Sequence, residues 1–387
     1  MISELRSRFN SRFDPARSRA LRDRITSETG EPVTFPLSDS PVFVPRGLVR
    51  RLAQELRRFF AILRTREYRD EATAWVPEAY RAAGPVDELP AFSCWDFGLS
   101  ESADGEVVPY MLECQGCSSL MGIVPWFGRL LQKQMGPGVT PFLSHDTWEE
   151  YRRDLSKVLD GAFLIDEDTS TQRLRTDFWT LRNMVDMGVL DLSRDTVSRL
   201  DEEPRRLYNR IVPAEVHRMG NAGALRALFG RPRDWVSHPD WFFMLSKRSL
   251  CRFWKSSDQV PQTEELSEDT ARLWSAEKDF VLKPCNDFGG RGVLLDPRPE
   301  DLEAALRSGE PHLLQERIEL ARVVQPPHGP KLYCDLRVLC LEDRPVCLFV
   351  RLARDLLCNI SFNGHYEWCG ITVGLVPRSN GHPPLVP

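Results

Sequence analysis

The chain has 387 residues, 42% of them hydrophobic, and a formal net charge of −5 at pH 7. At roughly 150 residues per domain, this length predicts two or three domains with a substantial buried core. The acidic balance argues against general affinity for nucleic acid, which needs a basic face. No apolar run is long enough to cross a bilayer, so the sequence predicts no membrane segment and no membrane partner.

Cysteine usage bears on the cellular compartment. The ten cysteines are scattered, and their spacings do not match those of a disulfide framework. Cys114 and Cys117 form the only C-x-x-C pair, and neither a second pair nor a nearby histidine completes a tetrahedral zinc site. A redox role for this pair stays open. We expect reduced thiols in a cytoplasmic protein.

The first part of the chain predicts an extension, a helix and a β-hairpin. Residues 1–45 are expected to form an N-terminal extension. Apolar side chains then recur at helical spacing between residues 48 and 63, which predicts an amphipathic helix. Two strands joined by a polar turn follow at 95–99 and 107–115. We expect the helix to pack against this hairpin.

The predicted hairpin carries acidic side chains on both strands. Successive side chains of a strand point to opposite faces, so Glu113 and Gln115 share one face, and Asp96 can lie opposite them on the partner strand. Two carboxylates and an amide oxygen suit Mg²⁺, which prefers hard oxygen ligands. The hairpin therefore predicts a magnesium site formed by Asp96, Glu113 and Gln115.

Residues 140–240 alternate short apolar strands with helices, which is typical of a βαβ layer. The predicted strands lie at 162–166, 189–191 and 207–211. This pattern favours a small Rossmann-like subdomain. Arg210 lies at the polar end of the third strand and could hold a substrate carboxylate, although a surface arginine is an equally good interpretation.

The next segment combines two lysines with a glycine-rich loop. Lys247 ends one apolar stretch, and Lys283 ends an apolar strand. The loop between that strand and a second predicted strand at 293–295 contains Gly289, Gly290, Arg291 and Gly292. Glycines let backbone N–H groups converge on a polyanion, and a lysine at a strand end supplies a fixed cation. Such a hairpin could cover a triphosphate, although an ordinary turn is the commoner interpretation of this pattern taken alone.

The last predicted elements are a short buried strand at 313–318 and a long hairpin at 335–339 and 346–352. Asp335 is expected to orient Arg337. The residues of this part that we consider candidates for a site are Gln315, Glu316, Ile318, Arg337, Arg351 and Asn359.

Taken in order, the Asp, the Glu-x-Gln, the two lysines and the strand after the glycine loop resemble the circularly permuted ATP-grasp family, typified by glutathionylspermidine synthetase and eukaryotic-type glutathione synthetase. The family usually has Asn where this chain has Gln115, whose side chain is one methylene longer. The resemblance implies an α/β (α+β) ATP-grasp fold with a Rossmann-like subdomain before the nucleotide-binding lobe. The remaining subdivisions it implies are a permuted part of the large lobe with the Mg²⁺ site at 46–135, a substrate subdomain at 140–240, a small lobe at 241–310, and the hinge with the rest of the large lobe at 311–387.

The resemblance also implies roles for single residues. Lys247 and Lys283 would contact the α- and β-phosphates of ATP under the loop from Gly289 to Gly292. The adenine would lie against Gln315, Glu316 and the backbone near Ile318. The arginines Arg337 and Arg351, with Asn359, would neutralise the γ-phosphate and an acyl phosphate, although each arginine could equally form a strand-edge ion pair.

The implied function is an ATP- and Mg²⁺-dependent carboxylate–amine ligase that forms an amide or peptide bond through an acyl phosphate. Its partners would be an acid and an amine, each a small molecule or a peptide, whose identities the sequence does not indicate. Two alternatives stay open, an ATP-dependent phosphotransferase on the same fold and a nucleotide-binding scaffold without turnover. The sequence gives no indication of the oligomeric state.

Overall fold

The computed structural model describes residues 1–117, 119–254, 257–277, 279–287, 289–358 and 365–378. Its helices are α1 (Ser3–Ser11), α2 (Pro15–Thr29), α3 (Arg46–Leu63), α4 (Arg66–Thr73), α5 (Ile123–Met135), α6 (Trp148–Val158), α7 (Arg175–Val185), α8 (Arg194–Glu202), α9 (Pro213–Arg218), α10 (Ala222–Phe229), α11 (Trp241–Met244), α12 (Arg248–Arg252), α13 (Glu268–Glu277) and α14 (Pro299–Ser308). Its strands are β1 (Val42–Phe43), β2 (Phe92–Glu101), β3 (Val107–Gln115), β4 (Val139–Thr140), β5 (Ala162–Asp166), β6 (Gly188–Asp191), β7 (Arg206–Asn209), β8 (Thr263–Glu265), β9 (Phe280–Pro284), β10 (His312–Glu316), β11 (Arg322–Val324), β12 (Leu332–Leu341), β13 (Arg344–Ala353) and β14 (Gly370–Pro377).

The largest sheet joins strands from the two ends of the described chain. Its order is β1-β14-β13-β12-β2-β3, with β11 beside β12 and β4 beside β14. The predicted hairpin of the first third is present as β2 and β3, and the predicted hairpin of the last third is present as β12 and β13. Antiparallel pairing of β2 with β12 places Asp96 opposite Arg337. The mixed sheet makes the fold an α+β fold.

The helix predicted between residues 48 and 63 is present as α3, and it packs on the β2–β3 hairpin. Its apolar stripe is buried, including Leu52, Leu56 and Phe59. The ring of Phe59 stacks on Trp95 of β2 with their centroids 5.6 Å apart. Aromatic contacts of this kind add stability beyond the buried area alone. This packing covers one face of the sheet and leaves the carboxylates of the hairpin for the opposite face.

A second, parallel sheet has the order β6-β5-β7. The alternation of strands and helices predicted this parallel layer. The third strand ends at Asn209 instead of residue 211, and the backbone N–H of Arg210 donates to the carbonyl of Ile165 at 3.0 Å. Arg210 therefore lies at the carboxyl edge of the parallel sheet, where polar groups from adjacent strands meet.

The third sheet has the order β8-β10-β9 and carries Lys283. The second strand predicted after the glycine loop is reduced to one antiparallel bridge between Leu282 and Leu294. Gly289, Gly290 and Gly292 have φ angles of 66°, 75° and 66°. Left-handed backbone at these positions makes the chain turn repeatedly, so the loop cannot pair with β9 as a continuous strand. The loop is consequently a turn structure in front of β9.

The segment between β3 and α5 is organised by one buried carboxylate, that of Asp177 on α7. It accepts hydrogen bonds from the backbone N–H groups of Leu120 at 2.8 Å, Gly122 at 2.9 Å and Ile123 at 2.8 Å. Ile123 is the first residue of α5, Gly122 is its N-cap and Leu120 lies just before it. The first N–H groups of a helix have no partner within the helix. Asp177 thus fixes the chain that follows the β2–β3 hairpin.

We predict that Asp177→Ala lowers the free energy of unfolding by about 3–5 kcal/mol, because each buried N–H left without an acceptor costs about 1–3 kcal/mol. Chemical denaturation measures the change. Asp70→Ala, which removes an exposed carboxylate paired with Arg66 at 3.2 Å, is the matched control and should cost under about 0.5 kcal/mol. A loss below about 1 kcal/mol for Asp177→Ala would contradict this account of the segment.

Candidate functional site

A cavity of about 120 Å³ lies between the largest sheet and the sheet that carries Lys283. We call it the first cavity. Strands β2, β3, β12 and β13 form one side, and β9 and β10 form the other. The polar side chains that line it are Asp96, Glu113, Lys247, Lys283, Gln315, Glu316, Arg317, Asp335 and Arg351.

The two carboxylates of the hairpin face each other across the β2–β3 ladder. Asp96 is directly opposite Glu113 in the register, so both side chains lie on the same face. Burial raises the pKa of Asp96, and the nearby Arg337 guanidinium opposes this only in part. Burial acts in the same direction on Glu113, but Lys247 and Arg337 outweigh it and hold the pKa of Glu113 below its usual range.

Both lysines are buried and point at the same region. The ammonium of Lys247 is 3.2 Å from Oε1 of Glu113, and it also donates to the carbonyl oxygen of Asp287 in the glycine-rich loop. The ammonium of Lys283 donates to Oε1 of Gln315 at 2.5 Å and to the carbonyl of Leu112 at 3.3 Å. Burial lowers the pKa of Lys283 to about 8. Within the described residues, the ammonium of Lys283 contacts neutral oxygens and has no carboxylate at salt-bridge distance.

The two arginines are paired differently from the expectation. Asp335 was expected to orient Arg337, and this is wrong. Asp335 lies opposite Arg351 in the β12–β13 register and accepts from its Nε at 2.8 Å. Arg337 instead lies opposite Asp96 and donates to that carboxylate. Strand register accounts for the pairing, because each carboxylate lies directly across the ladder from its arginine, Asp335 from Arg351 and Asp96 from Arg337.

Gln115 lies beside the carboxylates but outside the first cavity. Its amide nitrogen donates to Oε1 of Glu113 at 2.7 Å. Gln115 lines a second cavity, also about 120 Å³ in volume, with Arg210, Ser246 and Cys117. Of the described residues that line the two cavities, Glu113 and Lys247 are common to both. This ion pair is accordingly the wall between them.

The other candidate residues are distributed around these two cavities. Gly290, Glu316 and Ile318 line the first cavity. Gly289 and Gly292 belong to the turn in front of it, and the guanidinium of Arg291 is 3.2 Å from Glu215 on α9. Asn359 lies outside the described residues.

Sequence reasoning missed several residues at the site. Asp335, which was expected only to orient Arg337, lines the first cavity, and the thiol of Cys94, which no sequence pattern singled out, donates to Oδ1 of Asp96 at 3.3 Å. Cys94 is two positions before Asp96, so the alternation along β2 could have placed it on the same face. The apolar wall is formed by Val293 and Leu295, which belong to the strand predicted at 293–295, and by Leu320, which no sequence pattern singled out.

The carboxylates of the first cavity are possible ligands of a metal ion. Within the described parts of the chain, no group of three or more His, Cys, Asp and Glu side chains is placed to hold a metal ion. Asp96 and Glu113 supply two carboxylates on one face. Mg²⁺ needs no more than one or two carboxylates when waters and substrate phosphates complete its octahedron. The donor set therefore fits Mg²⁺ bound together with a nucleotide.

None of the helices in the described residues has the length and apolar character needed to cross a membrane.

Comparison of the sequence with family models and with curated proteins gives no match. Comparison of the fold with solved structures gives similarity to a glutathione synthetase-like effector from Globodera pallida in its apo form, with a TM-score of 0.50 and 13% sequence identity over 95% of this chain and 98% of that chain. A protein from Methylobacillus flagellatus KT that carries the provisional name gamma-glutamylcysteine synthetase matches with a TM-score of 0.37 and 11% identity over 80% of this chain and 82% of that chain. The first similarity shows a related fold at low identity, and the second carries no argument.

Buried Lys283 gives the stability of the protein a specific pH dependence. Its pKa falls from 10.5 to about 8 on folding. Below pH 8 both the folded and the unfolded chain carry the charge, and folding bears the full cost of burying it. As the pH rises from about 8 toward 10.5, the folded chain loses the proton and this cost disappears.

We therefore predict that wild-type protein gains about 2 kcal/mol in free energy of unfolding relative to Lys283→Met between about pH 7.5 and about pH 9.5. Urea denaturation at a series of pH values measures the difference. Lys331→Met, at an exposed position, controls for the loss of a surface lysine and should show no such pH dependence. Parallel pH profiles for wild type and Lys283→Met would rule out a depressed pKa.

Proposed function

We propose that this chain is an ATP- and Mg²⁺-dependent carboxylate–amine ligase with a circularly permuted ATP-grasp arrangement. The observation that carries the proposal is the lining of the first cavity. Asp96 and Glu113, encoded near residue 100, face Lys247 and Lys283, encoded more than a hundred positions later. Paired carboxylates facing buried lysines across a cavity suit a magnesium-bound triphosphate, which needs ligands for the metal and cations for its phosphates.

The proposed position of ATP follows from the two halves of the cavity. Apolar residues and the end of β10, with Glu316 and Ile318, form the part suited to adenine. Lys283 and Lys247 lie nearer the carboxylates and suit the phosphates. Arg351, 3.7 Å from Asp96, and Arg337 suit the γ-phosphate. Asp96 and Glu113 would hold the Mg²⁺, which supplies charge neutralisation at the phosphoryl group.

The ion pairs of the site support this assignment, because a bound nucleotide can replace the carboxylate in each pair. Lys247 is paired with Glu113, and Arg337 with Asp96. Phosphate oxygens can replace the carboxylates as partners of the cations, which frees both carboxylates for a metal. Burying the whole set costs less than burying either sign alone, since an unpaired buried charge is severely penalised.

The ligase reaction then needs positioning and charge neutralisation, and it requires no nucleophilic side chain. A carboxylate oxygen of the acid attacks the γ-phosphorus, and the bond to the bridging oxygen breaks to release ADP. The amine nitrogen next attacks the carbonyl carbon of the acyl phosphate. Phosphate leaves with the bonding electron pair, and the nitrogen loses one proton. Arg210, at the second cavity, is proposed to hold a substrate carboxylate.

The glycine-rich loop is proposed to cover the triphosphate and to exclude water from the acyl phosphate. Two contacts fasten the loop across the site. Lys247 binds the carbonyl of Asp287, and Arg291 lies 3.2 Å from Glu215 of the parallel-sheet unit. On this basis we propose the same subdivision as the sequence indicated, with 46–135 and 311–387 as the large lobe, 140–240 as the substrate subdomain and 241–310 as the small lobe.

Nucleotide binding is the first test. We predict that Lys283→Met weakens binding of a non-hydrolysable ATP analogue with Mg²⁺ by about tenfold to a hundredfold, because a charge-assisted hydrogen bond is lost. Isothermal titration calorimetry measures the affinity, and Lys331→Met serves as the matched control. Removal of Mg²⁺ with EDTA should lower the affinity of wild type for the ATP analogue. The affinity of Asp96→Asn for the analogue should change little when Mg²⁺ is removed. Equal affinities for wild type and Lys283→Met would remove the first cavity as the nucleotide site.

The products of turnover are the second test. We predict that ADP and phosphate appear only when an acid and an amine are both present, and that Arg351→Met abolishes their formation. A coupled phosphate-release assay over panels of acids and amines measures this. AMP and pyrophosphate as products would contradict the acyl-phosphate route. A stable phosphorylated product without amine would indicate the phosphotransferase, and binding without turnover would indicate the scaffold.

A further inference from the structure

Three polar side chains share one face of the three-stranded sheet β8-β10-β9. Gln315 of β10 lies directly opposite Thr263 of β8 in the register. On the other side of β10, Leu313 lies opposite Lys283 of β9. Residues that lie opposite each other, and residues two positions apart on one strand, point to the same face. Thr263, Gln315 and Lys283 are therefore neighbours on this face, and their exposed fractions are 1%, 1% and 8%.

Hydrogen bonds connect these three side chains and end on the backbone. The ammonium of Lys283 donates to Oε1 of Gln315 at 2.5 Å. Nε2 of Gln315 donates to Oγ1 of Thr263 at 3.0 Å. The hydroxyl of Thr263 donates in turn to the carbonyl oxygen of Pro261 at 2.7 Å. Both ends of the buried amide are thus bonded within the protein, as buried polar groups generally are.

The contact with Pro261 fixes the direction of these hydrogen bonds. A carbonyl oxygen can only accept, so the hydroxyl proton of Thr263 goes to Pro261 and its oxygen is left as an acceptor. Gln315 must then present its NH₂ group to Thr263 and its carbonyl oxygen to Lys283. The opposite orientation of the amide would place N–H groups against the ammonium, which has no acceptor. Thr263 therefore decides which end of the amide Lys283 meets.

The amide oxygen holds the ammonium of Lys283 without neutralising its charge, whereas a carboxylate at the same position would form an ion pair with it. The second contact of the ammonium, to the carbonyl of Leu112 at 3.3 Å, is also with a neutral oxygen. An ammonium has three N–H donors, so among the described residues these two contacts leave one donor for a ligand in the first cavity. A lysine side chain that is already held loses less conformational freedom when it binds a phosphate.

We infer that Thr263 is a positioning residue for nucleotide binding, and that it acts through Gln315 on Lys283. Thr263 itself is outside the described lining of the first cavity, so its effect on a nucleotide passes through other side chains. The inference rests on the proposed function, because Lys283 is the cation assigned there to the phosphates of ATP. It gives Gln315 a different role from the contact with adenine that the family resemblance implies. Adenine is then left to Glu316 and Ile318.

The affinity for a non-hydrolysable ATP analogue with Mg²⁺, measured by isothermal titration calorimetry, tests this inference. Thr263→Val, which keeps the shape of the side chain and removes the hydroxyl, should weaken binding by about threefold to tenfold. Thr263→Ser, which retains a hydroxyl, should bind within about twofold of wild type. Thr270→Val is the matched control, because the hydroxyl of Thr270 donates to the carbonyl of Glu265 at 2.9 Å. Its loss should leave the affinity within about twofold of wild type.

Two double-mutant cycles distinguish positioning from a general structural effect. In the Lys283→Met background, Thr263→Val should change the affinity by less than about 1.5-fold, because the cation that it positions is gone. In the Gln315→Met background, Thr263→Val should likewise change it by less than about 1.5-fold, because no amide remains to be oriented. The second cycle also replaces both partners of a buried hydrogen bond by apolar groups, so its double variant leaves no buried amide unpaired. Urea denaturation shows whether each variant is folded.

The outcomes separate this inference from the proposed function. If wild type fails to bind the analogue, the ligase proposal is overturned, and the role of Thr263 with it. If wild type binds and Thr263→Val has the same effect in both backgrounds as in wild type, or has no effect in wild type, the positioning role alone is overturned. Equal weakening by Thr263→Ser and Thr263→Val would also overturn it, because the inference depends on the hydroxyl.

Discussion

The pairing of β2 with β12 is the constraint on which the candidate site depends. These strands are separated by more than two hundred residues, and their antiparallel register sets Asp96 opposite Arg337. The neighbouring ladders then place Glu113 opposite Asp96 and Arg351 opposite Asp335. One continuous sheet therefore collects these five charged side chains on one surface, and ladder hydrogen bonds hold the backbone that carries them.

The sheet alone would leave these charges in an unfavourable environment. The carboxylates and guanidinium groups are largely buried, and burial of either sign alone is costly. The lysines come from another part of the fold, Lys247 from the start of α12 and Lys283 from β9. Lys247 gives Glu113 a partner at 3.2 Å, whereas the contacts of the Lys283 ammonium among the described residues are with neutral oxygens. Burial lowers the pKa of Lys283. The charges of the site are thus paired in part, and the ammonium of Lys283 can bind an anionic ligand.

Both cavities meet at the contact between Glu113 and Lys247. Glu113 belongs to the large sheet, whereas Lys247 belongs to the segment that leads into the small three-stranded sheet. A ligand in the first cavity and a ligand in the second would both touch this pair. Bimolecular chemistry gains most from holding two reactants side by side. Because the Glu113–Lys247 ion pair lines both cavities, this geometry suits group transfer between a molecule bound in the first cavity and one bound in the second.

The sequence by itself determined the elements and the types of side chain that they carry. Helical spacing predicted α3, and alternation predicted both hairpins and the parallel sheet, because such periodicities are local. Asp96, Glu113 and Lys283 lie on predicted strands and Lys247 ends an apolar stretch, and their order along the chain carried the family resemblance. Only the tertiary structure decided which charges pair. It paired Asp335 with Arg351 instead of Arg337, placed Gln115 at the second cavity and left the hydroxyl of Ser246 without a hydrogen-bond partner among the described residues. Register between strands distant in the chain depends on how all the elements pack together, and no local pattern encodes it.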